Sequence, residues 1–146
     1  MLMDIHSIAQ SITQKYNTTN PFQITKERHI IINYMPLGHA MGYHCYGYRQ
    51  HFIILNQELD EFWARFVCAH ELGHIILHPH VNTAFLLRST LFSVDKIERQ
   101  ANQFAIALLT SGTGYQHQPD EPMTVQECAT WYGIPQEFEE LLAFYQ

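Results

Sequence analysis

The sequence predicts an α+β fold in which one long helix packs against a small three-stranded sheet. Three observations favour this class. Residues 59–77 form an apolar run that is too long for a strand and has the length of a buried helix. Short segments rich in β-branched and aromatic residues precede it between residues 28 and 56. Because those segments follow one another without an intervening helix, we expect a mainly antiparallel sheet.

The first half of the chain predicts one helix followed by three strands. Isoleucine and alanine recur at helical spacing in residues 2–16, and turn-forming residues follow at 17–21. Residues 28–34 contain three consecutive isoleucines, which is typical of a short strand buried on both faces. Two further strands, joined by a turn, are predicted at residues 42–48 and 51–56.

The segment His70-Glu71-Leu72-Gly73-His74 lies within the long predicted helix. Histidines four residues apart share one helix face with their Cβ atoms about 5–6 Å apart, so both rings can bind one cation. Glu71 points about a third of a turn away, where it can accept a proton from water without binding the cation. This pattern favours zinc, which in catalytic sites takes three protein ligands and keeps one position for water.

Such a site needs a third ligand, and two residues are candidates. Glu98 lies 24 residues after His74 and opens a second helical run at residues 95–109. His80 lies six residues after His74, a spacing found in another zinc pattern, but Leu77 stands where that pattern requires glycine. We therefore prefer Glu98 as the third ligand.

Other polar residues are assigned supporting roles. Asn102, four residues after Glu98, can accept the remaining ring N–H of a ligating histidine. His78 lies at the end of the long helix, where capping is favoured over metal binding. The sequence does not select among the candidates for stabilising an oxyanion, which are Tyr43, His44, Tyr46, Tyr115 and His117.

These segments together resemble the ImmA/IrrE family of metallo-endopeptidases. The resemblance lies in the strand ending at Asn56, the segment His70–His74, and Glu98 followed by Ala101 and Asn102. It implies a zincin-like domain with its sheet packed on the motif helix, zinc bound by His70, His74 and Glu98, and Glu71 as the general base. It also implies an intracellular protease, encoded beside a helix-turn-helix repressor or in a toxin–antitoxin pair on phages and mobile elements, that cleaves its partner.

Chain length, net charge and cysteine content indicate the number of domains, the kind of partner and the cellular location. The 146 residues have the length of one domain, which we divide into a catalytic core at residues 1–122 and a C-terminal pair of short helices at 123–146. The net charge of −6 argues against direct binding to nucleic acid. The sequence shows no export signal or membrane span, and its three cysteines make disulfides improbable, so we expect a cytoplasmic protein.

One function of a different class stays open from the sequence alone. The chain could act as a binding protein that keeps zinc for structural reasons and sequesters a repressor without cutting it. The presence of Glu71 favours the enzyme, because a purely structural zinc site needs no general base.

Overall fold

A computed structural model describes residues 4–79 and 96–111, together with Glu127, Ile134 and Pro135. Its helices and strands follow one another as α1 (Ile5–Tyr16), α2 (Pro21–Glu27), β1 (Ile31–Met35), β2 (Gly42–Gly47), β3 (Gln50–Asn56), α3 (Glu61–Leu77) and α4 (Lys96–Thr110). The predicted α+β class is confirmed. Of the predicted C-terminal helical pair, the structure describes only those three isolated residues, and the remainder lies outside the described part of the chain.

The short helix α2 was not predicted from the sequence. Asn20 caps it by accepting a hydrogen bond from the backbone N–H of Phe22 at 3.0 Å. Pro21 occupies the first turn, where its missing N–H costs nothing and its fixed φ already suits a helix. The sequence predicts Pro21 only as part of the turn that ends α1, whereas in the structure the Asn20-Pro21 pair also begins the next helix.

The three strands form a mixed sheet in the order β1-β3-β2. Strands β2 and β3 form the expected antiparallel hairpin, and the turn residues Tyr48 and Arg49 both have positive φ, as a two-residue hairpin of matching twist requires. Strand β1, however, pairs with β3 in parallel. The prediction of a mainly antiparallel sheet therefore holds for only one of the two strand pairs. The chain runs past the central position to form β2 at the far edge and then returns as β3.

Strand β1 is more exposed than its isoleucine run indicated. It lies at one edge of the sheet, and Ile31, Tyr34 and Met35 are 43%, 54% and 45% exposed. The buried residue of the run is Ile30, which precedes the strand and joins the core. The expectation of a strand buried on both faces was wrong because three successive isoleucines do not distinguish a central strand from an edge strand.

Helix α3 lies between the sheet on one side and α4 on the other, and α1 packs against α4. Gly42 lets β2 approach α3 closely, since a Cβ there would stand only 2.8 Å from Cγ1 of Val67.

The hydrophobic core between these elements includes Cys68, which is fully buried and, like Cys45, is a free thiol. The largest fully buried side chains are Phe66, Phe104, Ile24, Ile53, Leu55, Leu72, Ile106, Leu108 and Ile134. None of the helices in the described ranges combines the length and the apolar character that a membrane span requires.

Asn56, at the end of β3, holds the loop that leads into β2. Its Nδ2 donates to the carbonyl oxygens of Gly38 at 3.1 Å and Ala40 at 3.0 Å, and its Oδ1 accepts from the backbone N–H of Glu58. The side chain is 7% exposed, so these groups have little access to water. The Nδ2 group of Asn56 therefore joins the loop before β2 to the end of β3, and its Oδ1 stabilises the turn that follows β3.

Replacing Asn56 with Asp should destabilise the protein by about 2 kcal/mol, because a carboxylate cannot donate and would face two carbonyl oxygens. Urea denaturation measures the change. The matched control is Asn33→Asp on the exposed strand β1, for which we expect a change of less than about 0.5 kcal/mol. Equal stability of the two variants would show that the Asn56 carboxamide does not hold the loop.

Candidate metal centre

Helix α3 carries the central motif into the interior of the protein. The helix begins after Asp60, whose carboxylate accepts from the backbone N–H of Trp63 at 2.8 Å. Every residue of α3 from Phe66 to Ile75 is buried, because the sheet covers one side and α4 covers the other. His70, Glu71 and His74 are each 0% exposed. Polar groups in such a place must find partners or bind a ligand.

Helix α4 brings Glu98 to the two histidines. Its Oε2 lies 3.0 Å from Nε2 of His70, and its Oε1 lies 3.1 Å from Nε2 of His74. The two Nε2 atoms are themselves 3.1 Å apart. One ligand atom from each of the three side chains falls within 4.8 Å of the others, and all three residues are buried. The structure thus brings the preferred third ligand to the histidine pair.

The hydrogen bond between His70 and Asn102 indicates which nitrogen of His70 is available to bind a metal ion. Oδ1 of Asn102 lies 2.8 Å from Nδ1 of His70, and a carbonyl oxygen only accepts, so Nδ1 is the donor. In a neutral ring the lone pair is then on Nε2, which faces the Glu98 carboxylate and the second ring. Converging lone pairs repel one another unless a proton or a metal cation lies among them. Two imidazoles and a carboxylate are also a ligand set of catalytic zinc, so the residues fit such an ion.

The charge of Glu98 is consistent with cation binding. Burial alone would raise the pKa of its carboxyl, but hydrogen bonds and charge interactions with His70 and His74 lower that pKa below its usual range. Glu98 is therefore ionised at neutral pH. A buried anion of this kind is stabilised by a positive charge held close to it.

Glu71 lies beside the cluster without being one of its three ligand groups. Its Oε2 is 3.0 Å from Nδ1 of His44, and its Oε1 has no hydrogen-bond partner among the described residues. Burial raises the pKa of this carboxyl to about 7; the charge on Glu98 adds to the effect, and charges on His70 and His74 oppose it. A carboxyl that titrates near neutral pH can both accept and donate a proton. A cation bound beside it would lower the pKa of Glu71 again, because positive charge favours the ionised carboxylate.

The glycine of the motif allows α3 and α4 to approach closely. A Cβ on Gly73 would lie 2.9 Å from Cδ1 and 3.1 Å from Cβ of Phe104, which is on α4. Ala101 and Ala105 on α4 are fully buried, and their small side chains add little bulk to that helix. This role of Gly73 was not predicted, although a glycine inside a helix lowers helix stability and so can indicate close packing.

Gly73→Ala should therefore destabilise the protein and weaken metal binding. Alanine would gain about 1 kcal/mol of helix propensity, but overlap with a fixed Cβ costs about 1–3 kcal/mol, so we expect a net loss of about 1 kcal/mol. Urea denaturation and zinc titration against a chelating dye measure the two effects. Gly47→Ala is the control, because a Cβ there would meet nothing within 4 Å. Unchanged zinc affinity in Gly73→Ala would mean that helix spacing does not set the site.

The other predicted site residues have different positions. His78 is the C-cap residue of α3, as expected, and its Nε2 lies 2.7 Å from Oε1 of Gln100. Tyr43 is on the opposite face of β2 from His44 by strand alternation, and Tyr46 is 57% exposed beside the ring of His51. The residues that fall outside the described part of the chain are His80, Tyr115 and His117.

His44 is predicted from the sequence only as one candidate oxyanion donor, and its contact with Glu71 was not predicted. The sequence does contain a signal for it. Gly42 and His44 are two residues apart in a strand and so face the same side, and a glycine there indicates close approach of another element. The face of β2 that carries His44 is therefore the face that contacts α3.

Comparison with known proteins gives the family. Residues 25–141 match the model of the IrrE N-terminal-like domain, peptidase family M78. The chain belongs to this family. The M78 assignment confirms the resemblance to ImmA/IrrE proteins and places the chain among metallopeptidases.

Two relatives show how far the similarity to M78 proteins extends. The uncharacterised immunity region protein 2 of Bacillus phage phi105 is 39% identical over 140 residues, which cover 94% of this chain and 87% of the phage protein. The metallopeptidase ImmA of Bacillus subtilis (strain 168) is 35% identical over 102 residues, which cover 68% of this chain and 59% of ImmA. The similarity to a phage immunity region protein thus extends over nearly the whole chain.

Proposed function

We propose that the chain is a zinc-dependent endopeptidase that acts in the cytoplasm and cleaves a partner helix-turn-helix repressor or antitoxin, relieving repression. The observation that carries this proposal is the meeting of three ligand groups from α3 and α4 beside a buried carboxyl that is not one of them. Such an arrangement can hold a metal ion and provides a proton acceptor beside it.

Each residue of the cluster has a role in this proposal. His70, His74 and Glu98 would hold the zinc, and Asn102 would orient the His70 ring through its Nδ1. Zinc, when bound, supplies Lewis-acid activation of water and of the peptide carbonyl. Glu71 takes the proton from the water that attacks the peptide carbon and transfers it to the departing amine nitrogen.

The composition of the cluster supports an enzyme over a structural site. A structural zinc is usually held by four protein ligands, whereas the group found within residues 4–79 and 96–111 has three. Burying a carboxyl costs free energy of folding, and a purely structural zinc site does not require Glu71. Both observations are expected of a site in which water and substrate share the metal.

A protein partner is supported by the relatives and by charge. One relative is named for a phage immunity region and the other is a metallopeptidase, which together suggest proteolysis in the control of immunity. The net charge of −6 disfavours direct action on nucleic acid. The choice of a repressor or antitoxin as this protein substrate rests on the family resemblance.

Co-expression tests the proposal directly. The chain, or its Glu71→Gln variant, is expressed in the native host with the helix-turn-helix protein encoded next to it, and intact partner and fragments are followed by immunoblot and mass spectrometry. We expect fragments and loss of intact partner only with the wild-type chain. Equal relief of repression by both forms without fragments would contradict proteolysis and support sequestration of the repressor.

A further inference from the structure

We propose that His44 is a positioning residue that holds one oxygen of Glu71 and so directs the other oxygen toward the proton that it exchanges. This inference rests on the proposed function and adds a residue to the same site. It is carried by the position of His44 on strand β2, opposite α3, with its ring between Glu71 and His74.

The His44 ring is fixed by contacts on two sides. Its Nδ1 lies 3.0 Å from Oε2 of Glu71, and the ring stacks on that of His74 with centroids 5.3 Å apart and planes inclined by 23°. The side chain is 1% exposed. Gly42, two residues earlier, lets β2 lie against α3. The backbone of β2 therefore places this ring, and solvent does not compete for its contact with Glu71.

A general base needs such a partner because a carboxylate has two equivalent oxygens. Rotation about the last torsion of glutamate is soft, so an isolated carboxylate samples a broad range of orientations. The contact of Oε2 with His44 removes that freedom and leaves Oε1, which has no hydrogen-bond partner among the described residues. Oε1 is thus the oxygen assigned to proton exchange, and it is held in one orientation before substrate binds.

The geometry favours this role over that of an oxyanion donor. A donor to the oxyanion must direct an N–H at the substrate, whereas Nδ1 of His44 is directed at Glu71. The two roles use different ring nitrogens, so substitutions can separate them. The amide nitrogen of Asn falls near the position of Nδ1, and that of Gln falls near Nε2.

A spectroscopic test needs no substrate. Nitrogen-15 correlation spectra of the histidine rings, recorded with and without zinc, should show His44 protonated at Nδ1, with that proton shifted downfield by its hydrogen bond. The signal should move or disappear in Glu71→Ala. A ring protonated only at Nε2, or an Nδ1 proton that is unaffected by Glu71→Ala, would overturn the inference.

Urea denaturation of the metal-free protein provides a second measurement. In a double-mutant cycle of His44→Ala and Glu71→Ala, we expect the two changes to be coupled by about fivefold or more in the unfolding equilibrium constant. Additive effects would show that the two side chains do not support each other.

Cleavage of the co-expressed partner, purified for kinetics, tests the consequence for the reaction. His44→Asn should keep kcat within about threefold of wild type, whereas His44→Gln and His44→Leu should each lose about 10- to 100-fold in kcat with little change in KM. The control is His51→Asn, a partly buried histidine on the same face of the sheet, which should leave kcat unchanged. Rescue by Gln instead of Asn, or three His44 variants with equal activity, would overturn the positioning role.

Failure of the proposed function would look different. In that case Glu71→Gln cleaves as well as wild type, or no form cleaves, whatever the His44 variants do. The ring spectra and the double-mutant cycle still decide whether His44 holds Glu71.

Discussion

Replacing Glu71 with Gln should abolish cleavage of the partner protein while leaving the metal content unchanged. Glutamine has the same shape, so its carbonyl oxygen can still accept from His44, but an amide cannot take up a proton from water. The side chain is not among the three metal-binding groups, so zinc should remain bound. We expect kcat to fall by about 10²- to 10⁴-fold. Cleavage rates from mass spectrometry and zinc content from elemental analysis measure both effects.

The matched control for this variant is Glu61→Gln, at an exposed position in the first turn of the same helix. It should retain both cleavage and zinc. Retained cleavage in Glu71→Gln would exclude Glu71 as the general base. Loss of zinc in that variant would instead identify Glu71 as a ligand.

Replacing Glu98 with Gln should weaken zinc binding by about 100-fold or more and abolish cleavage as a result. The change removes the negative charge whose oxygens lie 3.0 Å and 3.1 Å from the two histidine Nε2 atoms, and it puts an amide NH₂ group, which has no lone pair for a metal, on one of those sides. Titration against a chelating dye measures the affinity. Stabilisation by zinc, which reaches about 2.7 kcal/mol at a hundred times Kd, should fall to about 0.4 kcal/mol or less at the same zinc concentration.

His78→Ala is the control that separates the candidate ligands. Its ring pairs with Gln100 rather than with the cluster, so zinc content should be unaffected. If His78→Ala lost zinc and Glu98→Gln kept it, the third ligand would be misassigned.

The parts of the fold that the sequence predicted well are those with long apolar periodicity. Helices α3 and α4 begin and end within two residues of their predicted limits, because buried residues recur along many turns. Helix α2 is only seven residues long, which is too short for a periodic pattern, and its beginning depends on the cap at Asn20. Strand β1 pairs with β3 in parallel, and the residue types within a strand do not indicate which strand it pairs with or in which direction.

In the candidate site, too, the residues within one helix could be predicted from the sequence, and two of the contacts between different elements could not. His70, Glu71 and His74 are in one helix, so their relative positions follow from helix geometry, and Glu98 could be proposed because the next helical run begins with it. The contact between His44 and Glu71 joins residues 27 positions apart, on a strand and a helix, and it depends on strand register. The spacing of Gly42 and His44 indicates which face of β2 meets α3, but it does not give the register that brings His44 to Glu71. The role of Gly73 is likewise visible only when Phe104 of the neighbouring helix is in place.

The close contact of α3 with α4 at Gly73 has a thermodynamic consequence. Two of the three proposed metal ligands belong to one helix and the third to the other, so a fluctuation that separates the helices would also separate these ligands. In the proposed zinc enzyme, occupancy of the site and docking of α4 would therefore be linked equilibria, in which each raises the population of the other. Depletion of the metal would thus act on the protein in two ways, by removing the catalyst and by increasing amide hydrogen exchange along α4.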